Sequence, residues 1–273
     1  MKTKEELANI CQDTIKDIQV GGYRDMNGSW HDFPNVESIF YTSLPKKFAL
    51  KNRVEKERET KIYVLPTDTF LGAKTLGDNV CVLNMASSYQ AGGGVLNGSR
   101  AQEEELCRRS TLMSGLFPYD KVKHRLLDLS MDKHYYPIPD YGGIYCGNVM
   151  VYRADGTYNK LEEPYTCSVV SVAGIKNPVL SKKGLMQDDD ILMFKGKIRS
   201  ILRIAYIHYH EKLVLGALGC GAYHCPPKQV AALFKEVLQE NEFKGVFSDI
   251  CFAIIDDKNS KSNYKIFKEC IEN

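Results

Sequence analysis

Hydrophobic positions along the chain change period several times, and each change predicts an element. Leu7, Ile10, Cys11, Thr14, Ile15 and Ile18 lie three or four apart, one face of an amphipathic helix, and the pair Gly21 and Gly22 stops it. From Lys46 to Lys61 the chain is dense in charge of both signs. Such a stretch reads as a solvated helix or linker face, because the interspersed acids cancel a basic patch. Residues 1–60 are therefore expected to form a helical or irregular extension.

Short apolar runs follow, rich in β-branched and aromatic residues: Lys61 to Pro66, Asn79 to Ser87, Gly143 to Arg153, Tyr165 to Ile175, Lys212 to Leu218 and Asp249 to Asp256. They predict buried strands. Between the later ones lie helical patterns, one from Asp188 to Tyr209 opened by three aspartates, another opened by Pro226 and Pro227. Strands alternating with helices predict an α/β layered sheet. With no repeat or convincing internal linker, 61–273 is expected to be one structural unit.

Composition narrows the class. Hydrophobic residues make up 44% and charged residues 26%, ordinary values for a chain with a sizeable core. The net charge is only +2, so bulk electrostatics gives no reason to expect a nucleic-acid or membrane partner, and an anionic ligand would have to be held locally. Nine cysteines, an odd number with no CxxC pair, and a start lacking a secretory apolar core fit a reducing, cytoplasmic compartment better than a disulfide framework. No apolar run approaches the roughly 20 residues a membrane span needs.

Ligands of open α/β sheets bind beyond the carboxyl ends of the strands. Two glycine-rich loops occupy such places. One, Gln90 to Ser110 (QAGGGVLNGSRAQEEELCRRS), follows a strand and leads into a helix expected to run through Leu106, Arg109 and Met113; the other is Gly216 to Pro227 (GALGCGAYHCPP). Glycines let backbone N–H groups approach an anion, and a helix N-terminus adds partial positive charge, so diphosphate is the natural guest. Neither loop is a Walker A, and Gly216, Gly219 and Gly221 run in the reverse order of the dinucleotide fingerprint. Tight turning alone would explain one such loop, and helix-capping acids would explain Gln102 to Glu105. Two loops together with the acids are harder to explain that way.

The stretch NMASSYQAGGGVLNGSRAQEEE resembles the signature of the microbial-type poly(ADP-ribose) glycohydrolases: three glycines (Gly92 to Gly94), a short spacer (Val95 to Ala101), then Gln102, Glu103 and Glu104. The likeness continues through LEEPYTCSVVSVAG, GALGCGAYHCPP and FKGVFSDICFAIID, over about residues 60–257. It implies a three-layer αβα macrodomain-like mixed sheet with an N-terminal helical extension, and hydrolysis of the ribose–ribose bond of poly(ADP-ribose), with ADP-ribose as product and no cofactor or metal. Carried over by position, Glu104 would be the catalytic carboxylate and Glu103 a ligand of the ribose hydroxyls. Gly92, Gly93, Gly94 and Val95 would wrap the distal ribose and a phosphate beside Gln102. Gly219, Cys220, Gly221, Ala222 and Tyr223 would form the diphosphate loop, Tyr223 covering the nucleotide. Asn84 matches a position facing the distal ribose, and Asp68, in PTDT, would accept from the adenine amino group. Glu105 lies outside the motif and is expected to be helix surface.

The chain departs from the motif's usual surroundings at Cys220 to Cys225, where a histidine and a second cysteine appear. Cys220, His224 and Cys225 are metal-ligand types, but a structural zinc site normally shows four ligands at recognisable spacing. His208 and His210 read as a helix end. Two other functions share the expected cleft: a non-catalytic ADP-ribose reader, which has no need of Glu104, and a hydrolase of mono-ADP-ribose on a protein or nucleic acid.

Overall fold

The computed structural model describes residues 2–47, 59–256 and 262–272. The charged stretch after Lys46 therefore lies largely outside the described residues. Helix α1 (Lys4–Val20) starts at Thr3, whose hydroxyl accepts from Glu6 N (3.1 Å) while the Glu6 carboxylate reaches back to Thr3 N. This reciprocal pair satisfies two N–H groups that the first turn cannot. The helix ends where expected, at Gly21 in the left-handed region (φ +78°), a conformation that costs glycine little.

Strands β1 (Gly22–Arg24) and β2 (Trp30–Asp32) form an antiparallel hairpin. The larger sheet contains β3 (Glu37–Tyr41), β4 (Lys61–Leu65), β5 (Val80–Met85), β6 (Gly143–Arg153), β7 (Lys160–Val172), β8 (Lys212–Leu215) and β9 (Asp249–Ala253). It is a seven-stranded mixed sheet in the order β3-β6-β7-β5-β8-β9-β4. All six expected strands are present. Strands β1, β2 and β3 were not anticipated: they come from the segment read as a helical or irregular extension, and each is only three to five residues long.

The chain packs as two compact units interleaved along the sequence, Met1–Phe40 with Ala86–Ile138 and Ile144–Val169, and Tyr41–Met85 with Pro139–Gly143 and Val170–Asn273. In the first, α1 is tied to helix α3 (Gln102–Arg109) by the Thr14 hydroxyl, which donates to Arg108 O (2.9 Å). Asp17 of α1 accepts from Arg153 (2.8 Å), Lys160 (2.6 Å) and the Tyr152 hydroxyl (3.1 Å), closing a partly buried ion cluster. The expected long helix through Met113 is broken. Ser110 is extended (φ −147°, ψ 176°) and bridges Val151, and a separate short helix α4 (Leu112–Leu116) follows. The Ser110 hydroxyl donates to Leu106 O (2.7 Å) and accepts from Leu112 N, a local alternative to helical bonding.

In the second unit β5, β8, β9 and β4 run parallel, with Val80 opposite Lys212, Lys212 opposite Asp249 and Lys61 opposite Asp249. Their carboxyl ends therefore share one edge. Helix α2 (Thr69–Leu76) lies on β5, β8 and β9, brought close by Gly72, where a Cβ would meet Val214 at 3.3 Å and Ala253 at 3.4 Å. Helices α5 (Asp188–Ile207), α6 (Pro227–Leu238) and α7 (Asn263–Ile271) complete the unit, with Phe234, Phe252 and Phe267 in edge and tilted ring contact. A buried bidentate pair, Arg203 with Glu242 (2.7 and 2.8 Å), pins α5 to the segment after α6.

His208 follows α5, as expected of a helix end, and its Nε2 lies 2.9 Å from the Tyr41 hydroxyl. Burial, with a smaller contribution from His210, pushes its pKa down to about 4 from 6.5. The unfolded chain thus takes up a proton below about pH 6.5 that the folded chain refuses until about pH 4, so stability falls as the pH drops through that window. Replacing His208 with Gln is expected to flatten this fall in urea titrations between pH 7 and 4; an unchanged slope would exclude His208 as its source.

Candidate active site

The chain leaves β5 through Ala86 into the glycine loop, and α3 begins eight residues beyond Gly94. Gly92 and Gly93 adopt left-handed backbone (φ +65° and +53°), a conformation open to glycine at little cost. Val95 is fully buried and opens a 3-10 turn, its N–H donating to Gly92 O (3.1 Å).

Both motif acids face this loop. Glu103, 2% exposed, accepts from Ser87 N (2.7 Å) and Gly92 N (3.2 Å). Glu104, 6% exposed, accepts from Gly94 N (2.9 Å) and from Ala101 N (2.9 Å), the N-cap of its own helix. Every carboxylate oxygen of the two acids thus accepts from a main-chain N–H. The acids converge at Gly93, where an added Cβ would lie 2.6 Å from Glu104 Oε1 and 3.1 Å from Glu103 Oε2. Gln102 is the half-buried first residue of α3.

The floor of this centre is apolar. Cys107 packs beneath Gly92, where a Cβ would sit 3.2 Å from its Sγ, and burial, reinforced by the Glu103 charge, pushes the thiol well above its usual range. Burial and then Glu103 do the same to the Tyr136 phenol. Both stay neutral, and the low-dielectric wall they make strengthens the hydrogen bonds that fix the acids. Glu105, expected as helix surface, is instead structural: it pairs with the buried Arg108 (2.7 Å) and accepts from the Tyr158 hydroxyl (2.6 Å).

In the second unit, the expected ligand residues lie at strand ends or in loops. Asp68 follows β4 and caps α2, its Oδ1 accepting from Phe70 N (2.9 Å) and Leu71 N (3.2 Å). Asn84, on β5, is fully buried and its amide donates to the Ser171 hydroxyl (3.0 Å). Gly219 is left-handed (φ +75°) and crowded: a Cβ there would come within 2.7 Å of Cys225 Sγ, while one on Gly174 would meet Gly219 Cα at 3.0 Å. Main-chain atoms of the loop can therefore pass close to other backbone, whereas Gly221 has open space beside it and Ala222 is exposed.

The residues that depart from the motif stitch this loop to its neighbour. Tyr223 O accepts from Asn177 N (2.9 Å), His224 Nδ1 lies 2.8 Å from Asn177 Oδ1, and Cys225 Sγ donates to Ile175 O (3.1 Å). Burial pushes the Cys225 thiol up to about 11 and the Cys220 thiol well above its usual range. Their ligand atoms serve structure in the thiol state, and among the described residues no three His, Cys, Asp or Glu side chains group to hold a metal.

The glycine loop that follows β5 of the mixed sheet thus faces two buried carboxylates of α3, each fixed by main-chain amides. Residues 11–154, just over half of the chain, match the family model described as microbial-type PARG, catalytic domain, and the chain belongs to that family of poly(ADP-ribose) glycohydrolases. Comparison with curated protein sequences gave no match. Among solved structures, the chain is similar to the poly(ADP-ribose) glycohydrolase of Thermomonospora curvata: 27% identity over 97% of this chain and 99% of that one, TM-score 0.80. The same enzyme bound to the inhibitor ADP-HPD gives 26% identity, the same coverage and a TM-score of 0.77. The Deinococcus radiodurans glycohydrolase in complex with ADP-ribose is 27% identical over 79% of this chain and 85% of that one, TM-score 0.64. Among the described residues no helix is long and apolar enough to cross a membrane.

Sequence reasoning missed Lys123 and Asp120, which hold the glycine loop. Lys123 Nζ donates to Ala91 O and Gly93 O, and Asp120 Oδ2 accepts from Ala91 N (3.2 Å). Nothing local separates Lys123 from Lys121, so no pattern in the chain could have singled it out.

Proposed function

We propose that the chain removes ADP-ribose from the end of poly(ADP-ribose) by hydrolysing the ribose–ribose O-glycosidic bond, with Glu104 as both acid and base. The observation that carries this reading is the convergence of two buried, amide-held carboxylates on Gly93. Glu104 passes a proton to the leaving ribose oxygen as the C–O bond breaks. The resulting oxocarbenium-like centre is attacked by water, whose proton returns to the Glu104 carboxylate. Glu103 orients the ribose hydroxyls; Gly92 to Val95, with Gln102, hold the distal ribose and a phosphate.

In the second unit, Gly219 to Ala222 offer main chain to the diphosphate and Tyr223 covers the nucleotide. Asn84 faces the ribose, and Asp68 accepts from the adenine amino group. The structures of relatives with ADP-ribose and ADP-HPD bound support this choice of ligand. The buried thiols fit work in a reducing compartment such as the cytoplasm.

Product analysis tests the activity. Free ADP-ribose released from the polymer is the expected result. Tight ADP-ribose binding without release would make the protein a reader, and release only from singly modified protein or nucleic acid would make mono-ADP-ribose its substrate; either outcome overturns the proposal.

A further inference from the structure

We propose that Lys123 is a positioning residue of the catalytic centre, acting on both motif acids through two peptide groups of the glycine loop. Its ammonium donates to Ala91 O and, at 3.1 Å, to Gly93 O. Those carbonyls belong to the same peptide groups whose N–H bonds fix the acids. The Ala91–Gly92 group has its oxygen on Lys123 and its N–H on Glu103 Oε1 (3.2 Å). The Gly93–Gly94 group has its oxygen on Lys123 and its N–H on Glu104 Oε1 (2.9 Å). One cation therefore orients two amide dipoles, each with its positive end on a carboxylate.

The arrangement is specific to this lysine. Lysine is almost never fully buried without partners, yet Lys123 is 8% exposed. Its ammonium lies 5.9 Å from the centre of the Phe117 ring. Asp120 fixes both ends of the link: Oδ1 accepts from Lys123 N (3.0 Å) and Val122 N (3.0 Å), and Oδ2 from Ala91 N (3.2 Å). A hydrogen bond from a charged donor polarises the amide that receives it, so the N–H beyond becomes the stronger donor to the carboxylate. Removing the ammonium frees both peptide groups to rotate, and the Gly92 and Gly93 backbone has no side chains to resist.

This inference rests on the reading of Glu104 as the reacting acid, and its test separates the two. In Lys123→Met, kcat for ADP-ribose release from the polymer is expected to fall by about fivefold or more, since small displacements of reacting groups are costly in rate. The amide resonances of Gly92 and Gly94 in glycine-labelled protein should both move, because those peptides lose their charged partner. A kcat within about fivefold of wild type, or a larger loss with both amides at their wild-type positions, would overturn the proposal. If the methionine variant does not fold, Lys123→Gln, a shorter side chain whose amide NH₂ still donates but carries no charge, is judged by the same two readouts. A wild-type protein that released no ADP-ribose would sink the functional reading alone, since the glycine amides report the hold of Lys123 with or without turnover.

Discussion

Glu104→Gln is expected to lower polymer turnover by about 10²- to 10⁴-fold, the usual contribution of a positioned acid and base, while ADP-ribose still binds. The substitution keeps the shape of the side chain and removes both the proton to be given and the charge that takes one back. It also disturbs the resting structure in a defined way. Glu104 accepts from Gly94 N and Ala101 N through separate oxygens, and a glutamine has one oxygen to offer, so one N–H faces an NH₂ group. A loss of about 1 kcal/mol of stability should accompany the loss of rate. Steady-state kinetics, ADP-ribose calorimetry and urea titration measure the three quantities. Turnover near the wild-type value would remove Glu104 from the mechanism.

The second large effect is expected from Gly93→Ala. Two penalties add at this position: a left-handed backbone (φ +53°), costing a non-glycine residue about 1–3 kcal/mol, and a Cβ placed 2.6 Å from Glu104 Oε1. The backbone penalty is spread over the fold, whereas the contact falls on the Glu104 carboxylate. Because misplacement by about 1 Å can cost 10²-fold in rate, kcat should fall by about that factor. Gly156→Ala provides the matched control, with φ +64° and nothing within 4 Å of the new Cβ. It carries the strain without the contact. Equal losses of kcat in the two variants would show that strain, not displacement of Glu104, is responsible.

Both predictions concern residues that the chain announces in its own order, and much of the architecture was legible in the same way. The run Gly143 to Arg153 is a strand end to end, and α1 stops at the glycine that the pattern marks. Periodicity and stop signals succeed there because they record local geometry: which face of an element is buried, and where backbone must turn left-handed. The resemblance added the ligand class and the roles of the acids, which periodicity cannot supply. The helix expected through Met113 failed at Ser110, where a side-chain hydroxyl bonds Leu106 O and the backbone bridges Val151. Apolar spacing alone could not register that competition.

By itself, then, the amino-acid order determined six strands of the larger sheet, helices α1, α5 and α6, and the glycine loop with its two acids. Only the tertiary structure decided that β3 enters the sheet, that Glu105 is spent on Arg108 and Tyr158, and that Lys123 holds the two peptide groups that face the motif carboxylates. The reason is distance along the chain. Lys123 reaches peptide groups some thirty residues earlier, and Tyr158 meets an acid more than fifty residues before it. Such partnerships leave no local periodicity. They arise when close packing brings separate segments together and every buried charge must find a partner.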